Sequence, residues 1–189
     1  IGDWVFKQAA LQAKVLRKIT NSDFQISINK SPVQFQASVE TQSSWIDYLT
    51  ESVITGQNII VEITESLLLD SGQSVQSLLA QYTDAGIQIS LDDFGTGFSS
   101  LAYLQKFDID FIKIDRSFVT KLTPTSKNFT LCKAMIMMAH ALDIKVIAEG
   151  VETEAQKNIL ESIGCDCAQG FLFSKPISAE HFSKFFKKY

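Results

Sequence analysis

Ile87-Gln88-Ile89-Ser90-Leu91-Asp92 alternates without a break, with three aliphatic residues on one side and Gln88, Ser90 and Asp92 on the other. A period of two marks a strand with two unlike faces. Four further segments read the same way. Ile26 and Ile28 alternate with Gln25, Ser27 and Asn29; Ile59, Val61 and Ile63 alternate with Ile60, Glu62 and Thr64. Ile112 and Ile114 alternate with Phe111, Lys113 and Asp115, while Ile144, Val146 and Ala148 alternate with Lys145, Ile147 and Glu149. The predicted strands are 24–29, 59–64, 87–92, 111–115 and 144–149, with a weaker one at 166–169.

Helical patterns fill the intervals, at 3–18, 42–55, 74–85, 99–106, 126–142, 153–163 and 179–187. Gly56 and Gly86 stand where two of them are expected to stop. Strand–helix alternation predicts an α/β fold with a parallel sheet. Parallel strands covered on both faces usually read as continuous apolar runs. These instead keep one aliphatic face, suited to outer helices, and turn polar toward their C-terminal ends on the other. An open doubly wound sheet offers that polarity no place, whereas the inner face of a closed barrel leads to a site at the C-terminal rim. The predicted fold is therefore a TIM-like βα barrel. Such barrels have roughly eight strands in about 250 residues, and the 189 residues beginning at Ile1 supply six candidate strands. Residues 1–189 are expected to be one barrel domain lacking its first strands.

Composition narrows the function. With 46% hydrophobic residues, 14 Phe, 9 Gly and 3 Pro, a disordered or collagen-like chain is excluded. A net charge of 17 − 21 = −4 argues against a duplex-DNA binder. Cys132, Cys165 and Cys167 are odd in number, and Cys165-x-Cys167 lacks zinc-pair spacing. Reduced thiols are expected, and with them a cytoplasmic location. No apolar run approaches the ~20 residues of a membrane span. Histidine chemistry has only His140 and His181 to draw on.

The polar strand ends are Asn29, Glu62, the pair Asp92–Asp93, Lys113, and Glu149 followed by Glu152. On adjacent strands they would converge on one rim. Carboxylates and an amide oxygen, without Cys or His, form a hard donor set suited to Mg²⁺ or Mn²⁺. The number of acids suits two ions about 3.5–4 Å apart, as in phosphodiester hydrolysis, with Asp92 bridging them. Lys113 beside such charge either takes its neutral form and transfers a proton, or stays charged and stabilises phosphate oxygens. Glu65 and Glu152 have a simpler alternative as acids favouring helix N-termini. After the acid pair comes Phe94-Gly95-Thr96-Gly97-Phe98-Ser99-Ser100. Its glycines permit a tight loop near a ligand, and Ser99 or Ser100 could cap the next helix.

Taken together, SINKS (27–31), VEITESLLL (61–69), LDDFGTGFSSL (91–101), DFIKIDRSFV (110–119), VIAEGVET (146–153) and AQGFLFSKPI (168–177) resemble the EAL domain, a bacterial cyclic-di-GMP phosphodiesterase module. The segments span almost the whole chain in the family's order. The resemblance implies metal-binding roles for Asn29, Glu62, Asp92 and Asp93. It implies that Lys113 and Glu149 act on the attacking water and its metal, and that Glu152 and Gln169 are active-site positions, with Gln169 contacting nucleotide. Glu65 matches a residue that steadies the loop 93–100, which in this family links metal binding to dimerisation. The implied reaction is Mg²⁺- or Mn²⁺-dependent hydrolysis of cyclic-di-GMP to linear pGpG. A homodimer and fusion to sensor or cyclase domains, in a parent that can be membrane-anchored, are also implied.

Two departures stand out. Lys30 occupies a position that is usually apolar in the family, and the naming Glu-Ala-Leu motif, whose Glu is a metal ligand, does not occur in the chain. A different class of function is a catalytically silent cyclic-di-GMP receptor, against which the intact Asp92-Asp93-Phe94-Gly95-Thr96-Gly97 segment speaks. An enolase-like barrel with a Lys base fits the composition but not the motif set. Elsewhere, Met135, Met137 and Met138 are expected to form the buried face of a helix. Phe182, Phe185 and Phe186 are expected to seal the outer layer or to meet another domain.

Overall fold

A computed structural model describes residues 1–20, 24–35, 39–69, 72–97 and 101–186. Its strands are β1 (Ile26–Asn29), β2 (Ile59–Thr64), β3 (Gln88–Phe94), β4 (Phe111–Ile114), β5 (Lys145–Ala148) and β6 (Cys167–Ala168). Its helices are α1 (Gly2–Thr20), α2 (Pro32–Phe35), α3 (Val39–Glu51), α4 (Glu65–Leu69), α5 (Gln73–Asp84), α6 (Leu101–Lys106), α7 (Arg116–Val119), α8 (Lys127–His140), α9 (Glu154–Ser162) and α10 (Ala179–Phe186). The strands neighbour one another in chain order, β1 to β6, in one sheet. Pairings β1–β2, β3–β4, β4–β5 and β5–β6 are parallel, as strand–helix alternation requires. Among the described residues no helix is long and apolar enough to cross a membrane.

The chain divides into two compact units. The first comprises Ile1–Ile63, Asp70–Ile89 and Ile177–Tyr189. Here α1 buries Phe6, Ala10, Ala13 and Leu16, spaced three or four apart on one face. Phe6 stacks on Trp45 of α3 with centroids 4.1 Å apart, and Trp45 lies nearly parallel to Tyr82 of α5 at 6.1 Å. Trp45 Nε1–H donates to Asp3 Oδ1 at 2.8 Å, so the buried indole keeps its polar partner. Phe182 of α10 meets Phe24 edge to face at 5.7 Å. The side chains of Phe185 and Phe186 lie outside the described set.

The two glycine stops part company. Gly86 takes φ 78 just past α5, and Ile87 N–H donates to Tyr82 O at 2.9 Å, a left-handed helix end. Gly56 ends no helix. Helix α3 stops at Glu51, Val53 takes the left-handed position at φ 54, and Gly56 opens a 3₁₀ turn, Gly56–Asn58. A Cβ on Gly56 would lie 2.1 Å from Ala85 O, so close backbone approach, not helix termination, requires glycine there.

The second unit comprises Thr64–Leu69 and Ser90–Pro176. Every residue of β4 is buried, Lys113 included. Ser126 caps α8 through Phe129 N–H, and Thr153 with Gln156 forms a reciprocal capping box on α9. Helix α8 buries Cys132, Ile136 and Ala139, whereas Met137 is 63% exposed. The methionines are thus not its buried face: positions i, i+4 and i+7 from Cys132 take that side, and Met137 falls off it. All three cysteines are free thiols.

Candidate active site

In the first unit, the C-terminal ends of β1 and β2 bring Asn29 opposite Glu62, and Lys30 N–H donates to Glu62 O at 2.9 Å. Asn29 is exposed and Glu62 buried. Lys30 turns inward, where its Nζ lies 3.9 Å from the Trp45 ring centroid, 5.2 Å from Phe35 and 5.5 Å from Tyr82. It also donates to the Tyr82 hydroxyl at 2.9 Å. Burial pushes the Lys30 ammonium down to about 8, with Asp3 opposing that shift.

The acids of the second unit meet because β3 is irregular. Leu91 pairs with Ile112 and Phe94 with Ile114, so Asp92 and Asp93 together stand opposite the single residue Lys113. Such a bulge re-aims side chains that a regular pleat would send to opposite faces. Asp93 accommodates it at φ 55, its N–H donating to Asp92 Oδ1 at 3.1 Å. Asp92, Asp93 and Glu149 each bring a carboxylate oxygen within 4.8 Å of the others. Lys113 Nζ lies among them, 2.7 Å from Glu149 Oε1 and 3.1 Å from Asp92 Oδ1. The Asp93 carboxyl is held above its usual range by burial and by the charges of Asp92 and Asp115, against the pull of Lys113. Asp115 shifts the opposite way. Burial would raise its carboxyl, but hydrogen bonds from Ser117 outweigh that as Asp115 caps α7.

Glu149 also borders an open cleft of about 220 Å³ lined by Arg116, Gly150, Glu152, Gln169, Gly170 and Phe171. The glycines are demanded sterically. A Cβ on Gly150, at φ 68, would sit 2.6 Å from Arg116 Cβ, and one on Gly170 would sit 2.2 Å from Val151 O. Gln169 is fixed by backbone bonds to Ala148 O and from Val151 N–H. Glu152 does not cap α9, since Thr153 does, and so its side chain is left to the cleft it lines. Glu65 is buried with neither carboxylate oxygen hydrogen-bonded among the described residues. It lies against Gly97, where a Cβ would come within 3.1 Å of Oε2. Phe98, Ser99 and Ser100, and hence the expected serine cap, lie outside the described residues.

The family model for the EAL domain matches residues 1–176. The chain belongs to the EAL domain family. The signaling protein YkoW of Bacillus subtilis is 42% identical over 185 residues, 98% of this chain and 23% of that protein. The bifunctional diguanylate cyclase/cyclic di-GMP phosphodiesterase MucR of Pseudomonas aeruginosa is 36% identical over 180 residues, 95% of this chain and 26% of that protein. The EAL chain thus spans about a quarter of the length of these relatives. The EAL enzyme Bd1971, solved with cAMP and cyclic-di-GMP bound, superposes with a TM-score of 0.91 at 38% identity, over 98% of this chain and 51% of that one. The fold is that of a TIM-like βα barrel, represented here by six parallel strands.

Two residues of this EAL cleft, Arg116 and Phe171, carry no role in the sequence reading. Arg116 had a usable signal, since it follows strand residues 111–115 and falls at the same strand end as the other polar groups. Phe171 had only its place two residues beyond Gln169.

Proposed function

We propose that this EAL chain is the larger part of a cyclic-di-GMP phosphodiesterase domain, hydrolysing one phosphodiester to give linear pGpG in bacterial second-messenger signalling. The observation that carries the proposal is the meeting of Asp92, Asp93 and Glu149 around Lys113 at the border of a cleft. The acids fit Mg²⁺ or Mn²⁺: three carboxylate oxygens converge, and neither Cys nor His stands among them. The proposed metal-holding residues are Asp92, Asp93 and Glu149 in the second unit and Asn29 and Glu62 in the first. When bound, divalent ions supply Lewis-acid polarisation of the phosphodiester and of the attacking water.

The chain's own side chains do the rest. Lys113 orients Asp92 and Glu149 and presents positive charge where phosphate charge develops. Gln169 and Glu152 bind nucleotide along the cleft, beside the Arg116 guanidinium. Glu65, packed against Gly97, steadies the loop 93–100. We further propose a cytoplasmic domain that works as a homodimer and is fused to sensor or cyclase modules.

The test is turnover by the purified chain, alone and joined to a Glu-Ala-Leu-bearing N-terminal segment from a relative. The joined protein is expected to convert cyclic-di-GMP to pGpG with Mg²⁺ or Mn²⁺, to lose activity in EDTA, and to recover it with added metal. Binding without turnover in the joined protein would replace the enzyme reading by the receptor reading.

A further inference from the structure

Lys113 is 3% exposed on a strand buried along its whole length, so its ammonium is shielded from water. The β3 bulge sets it opposite Asp92 and Asp93 together, and its Nζ contacts Glu149 at 2.7 Å and Asp92 at 3.1 Å. Two of the three carboxylates that converge here therefore already have a cation, and it is supplied by the chain. Given the metal-dependent reading above, we propose that Lys113 is a resident counter-cation that holds Asp92 and Glu149 assembled in the absence of metal and thereby sets the affinity of the acids for a divalent ion.

Two physical effects act in the same direction. Without Lys113, three part-exposed carboxylates whose oxygens lie within 4.8 Å of one another would repel. A divalent ion would relieve that repulsion, so it would bind more tightly. With Lys113 present, the arriving ion meets oxygens already engaged by an ammonium and a like charge only a few ångströms away. Three carboxylates and one ammonium leave a formal charge of −2; removal of the lysine leaves −3. The lysine thus trades affinity for an acid cluster that stays in place, poised for an ion that must remain exchangeable.

The experiment is Mn²⁺ binding to the full chain by calorimetry, for the wild type, Lys113→Met and Lys113→Arg, with melting temperature in EDTA and in Mn²⁺ as a second readout. Lys113→Met is expected to bind Mn²⁺ about tenfold more tightly, the effect of roughly one charge interaction. It should melt lower than the wild type in EDTA and gain more from added Mn²⁺. Lys113→Arg, which keeps the charge, should stay within about threefold of the wild type. Lys113→Gln provides the same comparison if the methionine variant does not fold without metal. Unchanged or weaker Mn²⁺ binding in the neutral variants would overturn the counter-cation role while leaving the phosphodiesterase reading intact. A wild type that takes up no Mn²⁺ at millimolar concentration would overturn the counter-cation role, and the phosphodiesterase reading would then be decided by turnover of the joined protein.

Discussion

Lys30 and Lys113 are buried to nearly the same degree, at 4% and 3% exposure, yet their surroundings are opposites. Lys30 sits among Trp45, Phe35 and Tyr82, with a phenol as its hydrogen-bond acceptor. Ring faces attract an ammonium, but they repay only part of its lost hydration, and burial pushes this lysine down to about 8. Lys113 lies between two carboxylates, where its charge is matched. The first lysine packs a core at some cost. The second organises an acid cluster. Burial alone therefore does not mark a functional lysine; the partner set does.

The largest expected effect breaks the Lys113 side of the contrast. Asp92→Asn removes one of its two carboxylates and one of the acids that would hold the metal. In the protein joined to a Glu-Ala-Leu segment, pGpG formation should fall by about 10³-fold. An active Asp92→Asn protein would refute the two-ion assignment.

The intermediate effect tests Lys30. At pH 7 the lysine is charged in both states, and its cost to the fold is fully present. Between about pH 8 and the ordinary 10.5 the unfolded chain holds a proton that the folded protein does not, so stability rises with pH across that window. Burial and the charge of Asp3 push the Tyr82 phenol up, so stability falls again once unfolded tyrosine ionises. Lys30→Met should gain about 1–2 kcal/mol at pH 7 and lose the rise above pH 8, both read by urea denaturation. A Lys30→Met protein less stable than the wild type at pH 7 would show that the aromatic faces outweigh desolvation.

The smallest effect separates backbone strain from charge in the same unit. Val53 is 83% exposed and β-branched at φ 54. Val53→Gly should add about 0.5–1 kcal/mol, equally at pH 7 and pH 9. A pH-dependent gain would mean that the Lys30 profile does not belong to Lys30.

Much of the fold was legible because alternation survives burial. The segment 59–64 is a strand residue for residue, and 111–115 overshoots by one. The short helices α2, α4 and α7 span four or five residues, too few for a 3.6-residue period to show. The methionines of α8 misled for a related reason: three apolar residues close in sequence do not share a helical face. At the site, Asp92, Asp93, Lys113 and Glu149 were legible as polar residues ending aliphatic strands. Phe171 became visible only when the cleft beside Glu149 was formed, whereas Arg116 could have been read from its place after the 111–115 strand.

By itself the sequence determined where the strands lie along the chain, the family and the chemical character of the donor set, since these follow from local alternation, motifs and residue type. The tertiary structure decided what those residues face. Pairing of β3 with β4 creates the bulge that turns both Asp92 and Asp93 toward Lys113, and helix packing closes aromatic rings around Lys30. Neither is encoded at any one position, because a bulge is a property of two strands in register and a cage is a property of helices brought together by the core they bury.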